Sequence, residues 1–249
     1  MRKLYILLIS LWTLEVALAL TIAVCLTGSL MLPTHLAFFS GIDETPLFEW
    51  LREAGEPSTT WWIYAMVVCF GALGLITALC TADSLLELRG RRDFLARLFP
   101  QLMHIGVLLV MLGHLLTAWQ GTRDDLLVEE GQSAELTGGM VMTVERVGFN
   151  SVAGKKNYYD DWEALVRFDV PDNGISKAVL RPVSPLHVNG NSFFFRSITL
   201  PPKSSDQKPS VLIRVVRDPG VLWALAGGLL LIAGGIGSLA TRGRAAASQ

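Results

Sequence analysis

The chain has 249 residues, of which 51% are hydrophobic and 17% are charged, and its formal net charge is −1 at pH 7. The mean hydropathy of +0.43 favours a membrane protein over a soluble globule, and the near-neutral charge argues against a nucleic-acid partner. Cys25, Cys69 and Cys80 all lie in apolar runs without the CxxC spacing of a redox motif or a zinc site, so they indicate small buried side chains.

Residues 4–32 form one long apolar run behind Arg2 and Lys3. A basic start before an apolar core also suits a signal peptide, and Ala17–Ala19 has the small residues of a cleavage site, but the run continues for about a dozen residues more. The sequence therefore predicts a retained first membrane span. Glu15 lies inside it, where a carboxylate predicts either a contact in the interior of a helix bundle or a place on a proton or cofactor path.

An acidic connector, 33–60, follows, and Pro46–Ala54 within it is predicted to form a short amphipathic helix. The second span, 61–81, opens with Trp61 and Trp62. These rings indicate aromatic anchors at a membrane interface, and they are also kept as candidates for ligand contact. A basic loop at 83–97 leads to the third span, 98–119.

Residues 121–218 are polar and alternate with period two in six segments that turn residues such as Asn189-Gly190 separate. The pattern predicts a small antiparallel β domain, either a sandwich or an open barrel. The predicted strands are Leu126–Glu130, Met140–Val147, Trp162–Val170, Lys177–Val183, Ser192–Leu200 and Ser210–Val216.

The fourth span, Val221–Ala240, is rich in glycine, which favours close helix packing. Positive residues lie at the amino terminus, in the 83–97 loop and in the tail, so these segments are predicted to be cytoplasmic. The predicted fold class is a membrane protein with four transmembrane α-helices and a small antiparallel β domain inserted between the third and fourth spans. The expected domains are 1–120 with three spans (4–32, 61–81 and 98–119), 121–218 as an extracytoplasmic β domain, and 219–249 with the fourth span and a short cytoplasmic tail.

The third span carries two of the four histidines, His104 and His114. Ten helical residues separate the rings by about 15 Å along the axis and about 80° around it, so one iron cannot take both. Each is a candidate haem ligand, with a hydrogen-bonded structural role as the alternative. No other span holds a histidine, so a bis-histidine haem needs a second protein, or His35 folded back toward His114. We interpret His187, in the β domain, as a surface residue, with ligation as the alternative.

The sequence holds no GxSxG, HExxH or P-loop motif, and no cysteine nucleophile paired with a histidine. No catalytic residue is therefore predicted.

Four segments resemble, in order, the ResB-like (CcsB-type) family of cytochrome c biogenesis proteins. WWIYAMVVCFGALGLITALCTADSL is similar to that family's Trp-rich second span with its Cys-Thr ending, and HIGVLLVMLGHLL resembles its third span. RPVSPLHVNGNSFFFRS resembles a segment of its outer domain, and RVVRDPGVLWALAGGLLLIAGG resembles the entry into its last span. The chain departs from the family in a shorter outer domain, in Ser184 where the family has asparagine, and in Glu15, which has no counterpart.

The resemblance implies a part in System II cytochrome c maturation, a haem transport process in which haem b crosses the bacterial cytoplasmic membrane and is presented to apocytochrome c. It implies a non-catalytic subunit of a cytochrome c synthase (haem lyase) complex with a CcsA/ResC-type partner. His104 then corresponds to the family's haem-ligand histidine, and His114 is a second ligand or a waypoint. Two alternatives stay open: a haem b-bearing membrane anchor that exchanges electrons with quinone in a respiratory complex, and a structural scaffold without a ligand.

Overall fold

A computed structural model describes residues 10–87, 94–136, 139–149, 162–171, 174–201 and 207–247. It divides into a helical unit, Met1–Trp119 with Pro219–Gln249, and a β unit, Gln120–Asp218. Four of its helices are long and apolar enough to cross a membrane, and every strand pairing in the β unit is antiparallel. The predicted fold class is thereby confirmed.

Four long helices and one short one make up the described part of the helical unit. The short helix α2, Leu47–Ala54, lies where the amphipathic helix was predicted. Apart from α1, whose predicted first residues lie outside the described part, the long helices run past the predicted apolar segments, because helix-forming residues flank those segments and backbone hydrogen bonding does not stop where hydrocarbon does. The predicted basic loop is shorter for the same reason, and its residues 88–93 lie outside the described part. The long helices are α1 (Leu11–Thr34), α3 (Pro57–Glu87), α4 (Phe94–Gln120) and α5 (Val221–Ala247).

The contacts between the long helices follow chain order. Gly28 of α1 lies against the Trp62 ring of α3, and a Cβ added at Gly74 of α3 would lie 3.2 Å from Met111 Cε of α4. A Cβ added at Gly106 of α4 would lie 2.7 Å from the backbone oxygen of a glycine in α5. Met111 and Gly106 are about 140° apart around α4, so α4 meets α3 and α5 on different sides. These contacts join the long helices in the order α1–α3–α4–α5, and we call this series of contacting helices the row.

Helices α4 and α5 meet backbone to backbone. An added Cβ at Gly227 would lie 2.5 Å from the Gly106 oxygen, and one at Gly234 would lie 2.8 Å from the Phe99 oxygen. Each step of seven residues along α4 is matched by seven in the opposite direction along α5, which is the repeat of a left-handed antiparallel pair. The facing pairs are Phe99 with Gly234, Gly106 with Gly227 and Gly113 with Gly220.

An aromatic cluster covers one end of the row, next to α2. Trp62 and Phe39 are buried there, with ring centroids 5.9 Å apart, and Trp50 of α2 stacks on Phe39 at 5.7 Å. Leu51 is the buried residue of α2. The apolar face of α2 thus packs on the long helices and anchors the acidic connector.

In the β unit, the described residues form eight strands in two sheets. One sheet has the order β1-β8-β7-β6 and the other β2-β3-β4-β5. Both sheets contribute fully buried side chains to one core, where the rings of Phe168 and Phe193 lie 4.7 Å apart. This arrangement is a sandwich, one of the two predicted architectures. The strands are Thr122–Glu129, Ser133–Leu136, Met140–Phe149, Trp162–Val170, Gly174–Leu180, Leu186–Val188, Asn191–Thr199 and Ser210–Arg217, in order β1 to β8.

The largest displacement of a predicted strand concerns β5, which was expected at Lys177–Val183. It ends at Leu180 because Arg181 and Ser184 form an isolated bridge around a turn that contains Pro182, and proline cannot donate to a ladder. β2 and β6 were not predicted, since each is too short for period-two alternation to be detected.

Candidate functional site

His104 lies in the α4 face that is directed at α3. The side chain is half-buried, and its Nδ1 atom is enclosed with no hydrogen-bond partner among the described residues. The accessible area of the ring therefore belongs to its other atoms. An enclosed polar atom without a partner costs free energy. This ring nitrogen therefore needs a hydrogen-bond partner that the described residues do not supply.

Gln101 precedes His104 by three residues, so the two side chains lie on one face of α4. Gln101 is only 9% exposed, and its Oε1 atom is likewise enclosed without a partner in the described part of the chain. Two orphaned polar atoms on the same helix face, one turn apart, form what we call the Gln101–His104 site.

The helical repeat predicts that Thr81 of α3 lies opposite this site. Gly74 contacts Met111, and one step of seven residues along each antiparallel helix leads from that pair to Thr81 and His104. Thr81 is 4% exposed, and its hydroxyl donates to the Thr77 oxygen at 2.7 Å. Its hydrogen is thus committed to the backbone, while its oxygen adds an acceptor to the polar surroundings of the site.

The arrangement determines what the imidazole can do. A buried donor or acceptor needs a complement. The two atoms are not hydrogen-bonded to each other, but one water molecule can bridge a proton on His104 Nδ1 to the Gln101 oxygen. Nε2 is then unprotonated, and its lone pair is free for a metal. The residues therefore fit an iron that would be held through Nε2 of His104, with Gln101 available to hold Nδ1 through a bridging water molecule.

His114 is separate from this site. It is exposed, and it lies about 80° around α4 from Gly106 and about 60° from Met111, between the directions of α5 and α3. The rise of about 1.5 Å per residue places it about 15 Å from His104 along the axis. The structure does not bring the two rings together.

The other two histidines have local partners. His35 Nδ1 lies 2.9 Å from Thr34 Oγ1 at the end of α1, and His187 Nδ1 lies 2.9 Å from Ser192 Oγ on the neighbouring strand. Both are exposed. Among the described residues, no three His, Cys, Asp or Glu side chains are grouped to hold a metal ion. A metal centre complete within the described part is thus not present.

The remaining candidates differ in burial. Trp61 is 47% exposed, as an interfacial anchor would be, whereas Trp62 is 6% exposed, and its Nε1 has no partner among the described residues. Glu15 is exposed on α1 and does not face the interior of the row. Its predicted contact inside a bundle is therefore not made within the described chain.

One perturbed carboxyl lies in the β unit. Arg214 Nε and Nη2 donate to Asp125 Oδ1 at 2.7 Å and Oδ2 at 2.5 Å. These bonds, with the charges of Arg196 and Arg123, hold the pKa of Asp125 below its usual value. The group is an ion pair on the outward side of a sheet, between the directly opposed residues of β1 and β8, and we assign it to stability.

Sequence reasoning missed Gln101 and Thr81. A usable signal existed for Gln101, because an amide inside an apolar run is itself unusual and lies three residues from a histidine. Thr81 carried no such signal, since it lies at the end of its predicted span and threonine satisfies its own hydroxyl on a helix.

No protein-family model and no curated protein matches the chain. Among solved structures, it is similar to the cytochrome c heme lyase CcmF, with a TM-score of 0.46 and 17% sequence identity, over 70% of this chain and 30% of that one. The chain thus spans less than a third of that protein's length.

Proposed function

We propose that this protein is a haem-handling, non-catalytic subunit of a cytochrome c maturation complex in the bacterial cytoplasmic membrane. It acts with a CcsA/ResC-type partner to carry haem b across the membrane and present it to apocytochrome c, with the β domain on the extracytoplasmic side. The ordered resemblance to the ResB-like family supports this proposal, and the Gln101–His104 site is the structural observation that carries it.

In this proposal His104 would hold the haem iron through Nε2, and Gln101 would orient the ring by accepting the Nδ1 proton through a bridging water molecule. Haem, when bound, supplies the iron that accepts the ring's lone pair. Ligating histidines are commonly held in this way through their second nitrogen. The partner supplies the opposite ligand, because the described residues offer no second histidine near the site. His114, which is exposed on α4 between the directions of α5 and α3, is a second ligand or a waypoint.

The test is the absorption spectrum of the complex purified with its CcsA/ResC-type partner. We expect His104→Ala to lose at least half of the haem per complex and His104→Cys to shift the haem absorbance bands, since thiolate changes the ligand field. His187→Ala is the matched control, because it removes an exposed histidine with a local partner. Unchanged haem content and unchanged bands in both His104 variants would refute the proposal.

The same preparation distinguishes the proposed function from the alternative of a respiratory membrane anchor. Haem that is passed to apocytochrome c and lost from the complex fits the proposed function, whereas stable haem that quinol reduces rapidly fits a membrane anchor. His114→Ala tests the second position: a partial loss of haem would assign His114 to the haem path.

A further inference from the structure

We propose that a cavity between α2 and the end of α4 binds the headgroup of a zwitterionic phospholipid, phosphatidylethanolamine. The cavity has a volume of about 290 Å³ and is lined by Pro46, Phe48, Glu49, Arg52 and Trp119. All five residues belong to the helical unit. Lipid binding there is independent of haem binding at His104.

Helix α2 packs against protein on one face and lines the cavity with another. Leu51 and Trp50 belong to the face that packs against the long helices. Phe48, Glu49 and Arg52 lie within about 100° of arc on a different side of α2, and they line the cavity. One short helix thus supplies the cavity with an aromatic ring and with both members of an ion pair.

The cavity lies where a candidate membrane span ends. Trp119 is the last apolar residue of the Arg97–Gln120 span, and its side chain is 62% exposed. An exposed tryptophan at this position is typical of the membrane interface, where the ring contacts acyl chains and the indole N–H can donate to a headgroup. Phospholipid headgroups are therefore the small polar groups that surround this cavity in a membrane.

The charges in the cavity favour a headgroup that carries both signs. Arg52 Nη2 lies 4.0 Å from Glu49 Oε1, and the two side chains are 77% and 50% exposed. An exposed pair at this distance is weak, and it leaves guanidinium donors and carboxylate lone pairs available to a third group. A phosphate group can accept from Arg52, while a primary ammonium can donate to Glu49. Phosphoethanolamine contains these two groups side by side.

Other common headgroups match the cavity less well. Phosphatidylglycerol brings a negative charge close to Glu49 and has no cation to offset it. Phosphatidylcholine has a cation, but its quaternary ammonium has no N–H to donate to the carboxylate. Ligand pockets usually measure about 300–1,000 Å³, so a cavity at the lower limit suits a headgroup, whereas the acyl chains remain outside it.

Native mass spectrometry of the full chain in detergent micelles tests the assignment, with the three phospholipids titrated separately and their acyl chains identical. We expect the wild type to bind the first phosphatidylethanolamine molecule about fivefold more tightly than either other lipid, which is the scale of one exposed charge pair. Glu49→Gln should reduce this preference to within about twofold, because it removes the partner of the ammonium. Arg52→Gln should weaken all three lipids by about fivefold and keep their order, because all three contain the phosphate.

Glu53→Gln is the matched control. It removes the same charge from α2, but Glu53 is exposed and is not among the residues that line the cavity, so the preference should stay about fivefold. Equal binding of the three lipids to the wild type, or tighter binding of phosphatidylglycerol, would overturn the assigned headgroup. Unchanged affinities in Arg52→Gln, or an equal loss of preference in Glu53→Gln and Glu49→Gln, would overturn the cavity as the binding site.

Discussion

Substitution of Gly227 by alanine tests the close packing of α4 on α5. The same substitution at the neighbouring Gly228 is the control. A Cβ at Gly227 would lie 2.5 Å from the Gly106 oxygen, 2.8 Å from Val110 N and 2.9 Å from Val110 Cγ2, whereas a Cβ at Gly228 would meet no atom within 4 Å. The two substitutions therefore share chemistry and helix, and they differ only in what the added methyl group meets.

The expected magnitude follows from these distances. Ordinary contact begins at 3.4 Å, so α4 and α5 must separate by about 1 Å at Gly227, because the two nearest atoms, the Gly106 oxygen and Val110 N, belong to the backbone and cannot rotate aside. Overpacking of this kind costs about 1–3 kcal/mol. The higher helix propensity of alanine stabilises either variant by up to about 1 kcal/mol relative to glycine. This contribution cancels when the two variants are compared. Gly227→Ala should be about 1–3 kcal/mol less stable than Gly228→Ala.

Unfolding of the full chain in mixed micelles of increasing SDS content provides the measurement, followed by tryptophan fluorescence. Trp119 on α4 and Trp223 on α5 report on both helices of the pair. Equal midpoints for the two alanine variants, or a lower midpoint for Gly228→Ala, would show that the helices are not in backbone contact at Gly227 and would refute the seven-residue pairing.

Two further substitutions test the histidine site and the β unit. Gln101→Leu should move the proton of His104 from Nδ1 to Nε2 in the haem-free protein, because the acceptor is removed; ¹⁵N NMR of the labelled ring reports this, and an unchanged tautomer would mean that Gln101 does not hold Nδ1. Asp125→Asn should cost about 1 kcal/mol of unfolding free energy at neutral pH, given a bidentate but partly exposed pair with Arg214. Since the folded pKa of Asp125 is lowered, this difference should be full above the unfolded value of about 3.9 and vanish as pH falls through the folded pKa; a constant difference down to acid pH would contradict it.

Apolar length and period-two alternation were sufficient to predict the four spans and the six longer strands, because these patterns are local and repeat several times. The pairing of the helices was not predictable in the same way. Glycines repeat at seven residues in two stripes of α5, at Gly227 with Gly234 and at Gly228 with Gly235, and only the first stripe meets α4. The sequence contains both stripes and does not say which one faces a neighbour.

The candidate site was only partly visible for a similar reason. His104 stands out by its residue type, but its enclosed nitrogen depends on Gln101 and on the approach of α3, which are tertiary facts. Trp61 and Trp62 look alike in the sequence, yet one is 47% and the other 6% exposed, since their azimuths differ by about 100°.

The insertion of the β unit between α4 and α5 sets an order of events during synthesis. β1 follows α4 directly, but its pairing partner β8, with Thr122 opposite Arg217, immediately precedes α5. At about 5–20 residues per second, a ribosome needs about 5–20 s to make the hundred or so residues between the two helices. During that time the glycine face of α4 lacks its packing partner α5, and strand β1 lacks its hydrogen-bonding partner β8. Both are completed within the same few residues of translation, so a truncation anywhere before β8 leaves the membrane part and the sandwich unfinished together.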